Sequence, residues 1–328
     1  MSASSAMDVI DRRLLNLIQK DFPLVVRPFA AIGERLGISE ENTLARTQRL
    51  KDTGIIRQIS AIFDSRRLGY SSTLVAMDIP EEHIDKSAGR ISEHAGVSHN
   101  YKRDHSLNLW FTLTLPPGAD LEAEVAQLSD VARARRTRIL PALRLFKIGV
   151  ELDLEQGANV ADQRPPTQQP AQSIAKEHLD YVRILQQDLP LEPTPFQGWA
   201  ESLGVRQRRM FARARELEAS GVMRRFAAVL RHQKAGFVAN AMICWRIPEG
   251  RLPDLGYRLA AYPHVSHCIQ RHVYPDWPYN VLSMVHARSR KGCKEIARQM
   301  SAEIDVDDYV ILYSTKEYKK ERVRYHVQ

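Results

Sequence analysis

The sequence predicts an α+β chain: a tandem duplication in which each copy carries a winged or helix-turn-helix part and a ferredoxin-like βαββαβ part, the two copies forming a pseudo-dimer. Three observations predict it. Val97-Ser98-His99-Asn100-Tyr101-Lys102-Arg103 returns as Val265-Ser266-His267-Cys268-Ile269-Gln270-Arg271, with a His and an Arg four residues apart in both copies. Residues 54–62 align with 221–229, an offset of 167 residues, which has become 168 by Val97 and Val265. Two copies of about 150 residues are a duplicated domain, whereas a solenoid repeats at 20–50. Third, each copy changes from a helical to a strand-like apolar pattern at its Gly54 or Gly221.

The elements follow in order. Ile10, Leu14, Leu17 and Ile18 share one face of a first helix around residues 11–17. A second helix over 29–36 ends at Gly37, the residue that best tolerates a left-handed cap. Ser39 caps a third helix that runs to Lys51 and stops before Gly54. The second copy reads 179–187, 196–203 and 206–220. Strands are expected at 55–63, 72–79, 97–103, 108–115 and 138–150, with helices at 82–95 and 121–135. From 72 onward the order is βαββαβ, and the second copy repeats it from Asn240 to Leu312. The boundaries are therefore 1–54 for the first helix-turn-helix and 55–154 for the first ferredoxin-like domain. Residues 174–221 and 222–328 are the second pair. Residues 155–173 are polar and rich in Pro and Gln, and read as an extended linker, partly disordered.

The chain has 328 residues, 44% of them apolar, enough for more than one core. No apolar run reaches membrane-span length and no signal-peptide segment is evident, so a cytoplasmic protein without a membrane partner is expected. Its three cysteines, Cys244, Cys268 and Cys293, have neither disulfide-framework nor metal-site spacing. The formal charge of +8 suits nucleic acid, and equally a ligand bearing many carboxylates.

Alternation along 97–103 places His99, Tyr101 and Arg103 on one face and Asn100 and Lys102 on the other. His105 lies in the turn, and Asn108, Trp110 and Thr112 return on the partner strand. In the second copy His267, Ile269 and Arg271 share a face, followed by an insert containing Tyr274 and Trp277. Arginine clamps a carboxylate through two parallel hydrogen bonds, and histidine can ligate iron or transfer a proton near neutral pH. The bland alternative is a pair of satisfied sheet histidines. Arg57, Arg224, Arg225 and His232 flank the first strand of each copy, and Lys147 and Lys316 sit near each copy's end. They are either surface charges or the rim of a polyanion site.

The helix-turn-helix followed by βαββαβ resembles the Lrp/AsnC family. More specifically, "VSHNYKRDHSLNLWFTL" with "FKIGVELD" resembles one subunit type of the siroheme decarboxylases. "VSHCIQRHVYPDWPYNVLSMVH", "MRRFAAVLRHQKAGF" and "LYSTKEYKKERVRY" resemble the other. A single chain carrying both is similar to the fused, NirDL-type members of heme d1 biosynthesis.

The resemblance implies a carboxy-lyase that removes the C12 and C18 acetate carboxyls of siroheme. It implies no separate cofactor, because the iron comes with the siroheme substrate. It further implies catalytic roles among His99, His267, His105 and Tyr101, with His99 or His267 over the substrate iron. By the same motifs Arg103, Arg271 and Tyr274 are expected to bind substrate, and beside them Trp277 and the flanking charges Arg57, Arg224, Arg225, His232, Lys147 and Lys316 are read as substrate-binding candidates. Ile269 departs from the family pattern, which has an aromatic there. A homodimer of the fused chain and a second decarboxylase subunit pair both stay open as partners.

Two other readings remain. One is a DNA-binding regulator, disfavoured because Glu40 and Glu41 would face phosphates at the start of the recognition helix. The other is a heme-binding sensor without catalysis.

Overall fold

A computed structural model of the chain describes residues 7–148, 151–153, 158–160, 176–230, 239–287 and 289–326. The first module runs α1 (Val9–Lys20), α2 (Pro28–Leu36), α3 (Glu40–Asp52), β1 (Ile56–Phe63), β2 (Ser71–Asp78), α4 (Ile84–Glu93), β3 (Val97–Arg103), β4 (Leu109–Leu115), α5 (Leu121–Ala132) and β5 (Arg136–Ile148). Two short strands follow, β6 (Glu151–Asp153) and β7 (Ala158–Val160). The second module runs α6 (Lys176–Leu185), α7 (Gln197–Ser202), α8 (Gln207–Ala219), β8 (Met223–Leu230), β9 (Ala239–Trp245), α9 (Leu252–Ala261), β10 (Val265–Arg271), β11 (Val281–Ala287), α10 (Arg290–Ile304) and β12 (Tyr309–Lys320).

Local chemistry sets the helix ends. Asp8 and Asp11 exchange backbone and side-chain hydrogen bonds in a capping box at the start of α1. Gly37, at φ 71°, closes α2 in the left-handed region. Ser39 Oγ accepts from the Asn42 N–H at 3.2 Å, starting α3 where the sequence expects it. The two helical parts are joined by β1 and β8, which pair antiparallel and share one core around Phe22, Phe29, Phe196 and Phe226.

The two βαββαβ sheets do not remain separate. Their strands form one closed eight-stranded barrel in the order β10-β11-β9-β12-β3-β4-β2-β5. Closure comes from the length of each module's last strand. β5 pairs with β2 along residues 136–141 and then with β10 of the other module along 142–148. β12 pairs with β9 along 309–313 and then with β3 along 314–320. The expected end of the second βαββαβ pattern at Leu312 is thus too short, and the chain after it stays in strand as far as Lys320. The expected linker lies mostly outside the described residues, but its segment 158–160 is β7, paired with β6.

Helices α4 and α5 cover one outer face of the barrel over Val75, Met77 and Phe111. Helices α9 and α10 cover the other over Ile243, Trp245 and Val265. A third cluster, with Trp110, Leu140, Met242, Leu282, Leu312 and Trp277, fills part of the interior with side chains from both modules. On α9, a Cβ at Gly256 would run into the Phe146 ring of β5. Gly256→Ala is therefore expected to lower stability by about 1–3 kcal/mol. Equilibrium denaturation checks this, and an unchanged midpoint would contradict the close packing. Among the described residues no helix is long and apolar enough to cross a membrane.

Candidate active site inside the barrel

The pleat of β3 sorts its side chains. Asn100 points outward, donating to the Ala88 carbonyl at 3.0 Å and to Ser92 Oγ at 3.1 Å. Lys102 is held by Glu81. His99, Tyr101 and Arg103 point inward. β10 does the same with His267, Ile269 and Arg271, while Cys268 is buried beneath α9. Both inward sets line one cavity of about 530 Å³, within the range of small-molecule sites. Leu74, Trp110, Met242, Leu282 and Met284 give it an apolar surface, and Lys316, Glu317 and Lys320 supply charge along β12.

The two arginines are related by the internal repeat and cross between modules. Arg103 donates from Nη1 to the Leu312 carbonyl at 3.3 Å, and Arg271 donates from Nη1 to the Leu140 carbonyl at 2.7 Å. Each leaves its Nε without a hydrogen-bond partner, and neither makes an ion pair among the described residues. Arg103 is only 5% exposed. Burial pulls the Arg271 guanidinium down to about 10, with Arg66 adding to it, and lowers Arg103 as well. Both remain cationic at neutral pH. A buried cation without an anionic partner is costly, and a carboxylate in the cavity would offset that cost.

Burial, and then Lys320 and Arg57, push the His99 imidazole from 6.5 down to about 4. The unfolded chain therefore binds more protons than the folded one between these values. Stability should fall as pH drops from 6.5 through about 4, and level off below. His99→Gln should flatten that part of a melting-temperature profile, and equal slopes in the two proteins would contradict the assignment. Burial first, and then Glu317, raise the Tyr101 phenol, which stays protonated.

His267 contacts Ser266 Oγ through Nδ1 at 2.9 Å. Ser266 Oγ also lies 2.6 Å from His286 Nε2, and His286 Nδ1 lies 2.7 Å from Asn240 Oδ1. Ser266, His286 and Asn240 all border the cavity and were not singled out in the sequence. The available signal was the alternation of β11, which puts Leu282, Met284 and His286 on the inward face.

Several expected site residues stand elsewhere. His105 accepts the Leu107 N–H at Nδ1, 3.0 Å away, and holds its own turn outside the cavity wall. The Tyr274 hydroxyl donates to the Ile139 carbonyl at 2.9 Å. Trp277, 1% exposed, packs against Trp110 at 5.2 Å and is interior filling. Asn108 braces Ile79 through its backbone N–H and carbonyl. Lys147 donates to the Tyr262 carbonyl at 3.1 Å rather than facing the cavity. Arg224 and Arg225 lie on β8, outside the barrel. Arg57, on β1, donates to the Lys320 carbonyl at 2.7 Å and acts on His99 only through its charge. Lys316 reaches the cavity edge but is paired with Asp85 at 2.8 Å. His232 lies outside the described residues.

A larger cleft of about 770 Å³ runs between β1, α6 and residues 321–325. Among the described residues no histidine lines it. Its Arg322 is engaged by Ser60 Oγ at 3.1 Å and its Arg183 by Asp180 at 2.6 Å. The barrel cavity is the better candidate because it combines unpaired cations with proton-transfer groups. Among the described residues no cluster of His, Cys, Asp or Glu could hold a metal ion on its own.

Known proteins agree with this architecture. An AsnC-like ligand binding domain matches residues 67–147 and again 234–319. A siroheme decarboxylase NirDL-like HTH domain matches 11–57 and 181–224. The chain is 38% identical over 322 residues to the siroheme decarboxylase of Hydrogenobacter thermophilus, covering 95% of this chain and 94% of that protein. It is 35% identical to the siroheme decarboxylase NirDL subunit of Paracoccus pantotrophus, covering 96% of each. A crystal structure of the siroheme decarboxylase NirDL in co-complex with an iron-uroporphyrin III analogue superposes with a TM-score of 0.76 at 32% identity, over 96% of this chain and 94% of that one.

Fold and cavity thus define a fused pair of AsnC-like modules built around one shared ligand chamber. The chain belongs to the siroheme decarboxylase family, and is a carboxy-lyase.

Proposed function

We propose that the chain decarboxylates siroheme in the barrel cavity, removing the carboxyl groups of the C12 and C18 acetates. The observation that carries this reading is the pair of buried arginines, Arg103 and Arg271, each with an unpartnered Nε, beside His99 and His267. A ligand rich in carboxylates supplies the anions they lack, and an iron tetrapyrrole fits the apolar surface between them. The related NirDL in co-complex with an iron-uroporphyrin III analogue supports this ligand class. The iron enters as part of the substrate.

The reaction is redox-neutral. The bond between the acetate methylene and its carboxyl carbon breaks, CO2 leaves, and the electron pair stays on the methylene carbon. One proton converts that carbon to a methyl group. A histidine imidazolium is the donor and is returned to its charged form by solvent. The arginines fix the reacting acetate near that donor. Of His99 and His267, one serves as the acid and the other meets the iron. A substrate carboxylate beside His99 and Lys320 would lift the depressed His99 and let it hold a proton during turnover.

One chain is proposed to suffice, because it supplies all the strands of the barrel. DNA is not the proposed partner. In the first module, Arg46 and Arg49 on α3 are tied to Asp11 at 2.8 and 2.6 Å, and Arg27 is paired with Glu40.

Anaerobic incubation of the purified chain with siroheme, followed by mass spectrometry of the tetrapyrrole, tests the reading. Loss of two CO2 units is expected. A bound but unchanged pigment would favour a sensor, and the absence of binding would return a regulator to consideration.

A further inference from the structure

The two modules repeat the His and the Arg but not what stands behind the His. In the second module the contacts form a chain: Asn240 Oδ1 to His286 Nδ1, His286 Nε2 to Ser266 Oγ, and Ser266 Oγ to His267 Nδ1, at 2.7, 2.6 and 2.9 Å. In the first module Ser98 Oγ meets His99 Nδ1 at 3.0 Å, but the positions matching Asn240 and His286 are Ser72 and Thr114, which bond to each other at 2.9 Å. The second chain is buried, with His286 7% and Ser266 1% exposed.

We propose that His286 is a positioning residue for the reaction: through Ser266 it holds the His267 imidazole in the Nδ1–H tautomer, leaving Nε2 as the nitrogen that meets the substrate. This rests on the reading of the cavity as the decarboxylation site.

Counting protons along the chain fixes the tautomer. The amide oxygen of Asn240 only accepts, so His286 carries its proton on Nδ1. In its neutral form His286 then presents a lone pair at Nε2, and the hydroxyl proton of Ser266 goes to it. The other acceptor near Ser266, the Met284 carbonyl, is farther, at 3.4 Å. A serine has one hydroxyl proton, so toward His267 its oxygen can only accept, and Nδ1 of His267 must be the donor. Such a partner on one ring nitrogen fixes the tautomer and raises the basicity of the other. Nothing equivalent commits the Ser98 proton, since Thr114 has no second titrating nitrogen to pass the constraint along. The fused chain therefore has two unlike histidines at matched positions, one held in a single tautomer and one not.

The test compares His286→Ala, His286→Gln and Ser266→Ala with Thr114→Val as the first-module control. Each is assayed anaerobically on siroheme, and each ligand-free protein is labelled with ¹⁵N-histidine for ring-nitrogen NMR. His286→Ala and Ser266→Ala should lower kcat by about 10–100-fold, the range for such supporting contacts, with KM changed by less than about twofold. The His267 ring should pass from a single Nδ1–H tautomer to a mixture. His286→Gln, which keeps an acceptor for Ser266 and a donor for Asn240, should retain most of kcat. Thr114→Val should match the parent.

A merely structural histidine would not move the tautomer signal or split kcat from KM. Should His286→Ala fail to fold, the Gln and Ser266 variants carry the test. An unchanged tautomer and kcat in them overturn the proposal. If His267→Ala is inactive while the His286 and Ser266 variants are normal, only the positioning role fails. If His267→Ala is fully active, the reading of the site fails with it.

Discussion

His267→Ala and His99→Ala should each lower kcat for siroheme decarboxylation by about 10²–10⁴-fold, the usual worth of a positioned proton donor. The fold should survive. Both side chains are half-buried on the cavity wall and project from strands whose pairing depends on the backbone. The two losses need not be equal. A histidine that delivers the proton acts at the chemical step, so its loss falls on kcat. One that meets the iron also orients the macrocycle, so its loss raises KM as well. Steady-state kinetics with circular dichroism on the same samples checks both parts. Full activity in both variants would remove histidine from the mechanism.

The second large effect is expected at the crossed arginines, and its two halves have opposite signs. Arg103→Met or Arg271→Met should weaken siroheme binding by about 2–5 kcal/mol, because each removes one partner of a buried charge pair. The ligand-free protein should be at least as stable as the parent, and by up to about 4 kcal/mol more stable, because an unpaired buried cation is replaced by an apolar chain. Equilibrium titration with the tetrapyrrole measures the first and denaturant unfolding the second. A variant that loses stability and keeps affinity would mean that these arginines brace the barrel through Leu312 and Leu140 and do not serve the ligand.

Much of this architecture was legible in the residues. The repeated VSH phrase and the nearly constant offset exposed the duplication, and period-two alternation turned His99, Tyr101 and Arg103 to one face, where the cavity wall has them. What could not be read was the exchange of last strands. Residues 314–320 are polar and basic, so nothing in their pattern announces a strand. They pair because β3, held by β4 on one side, offers them its other edge. The same exchange decides where Tyr274 and Trp277 stand. Aromatics in an insert beside a charged strand look like a binding surface, yet once the barrel closes Trp277 is sealed against Trp110. His105 was expected in the site through the family resemblance of its hairpin, and in the structure its Nδ1 is engaged by the Leu107 N–H of its own turn. His286 was missed for a different reason. It has no counterpart in the first module, where Thr114 stands, so the repeat drew attention away from it.

In the proposed complex one iron tetrapyrrole sits in the barrel with its carboxylates on Arg103 and Arg271 and its face toward His99 and His267. A crystal structure of the chain with a bound iron porphyrin that carries acetate groups but does not turn over tests it most directly. Carboxylate oxygens are expected within hydrogen-bond distance of both guanidinium Nε atoms, with an imidazole Nε2 at the iron or at a reactive acetate. A macrocycle bound in the cleft beside Arg322, or one in the barrel that leaves both arginines untouched, would contradict it.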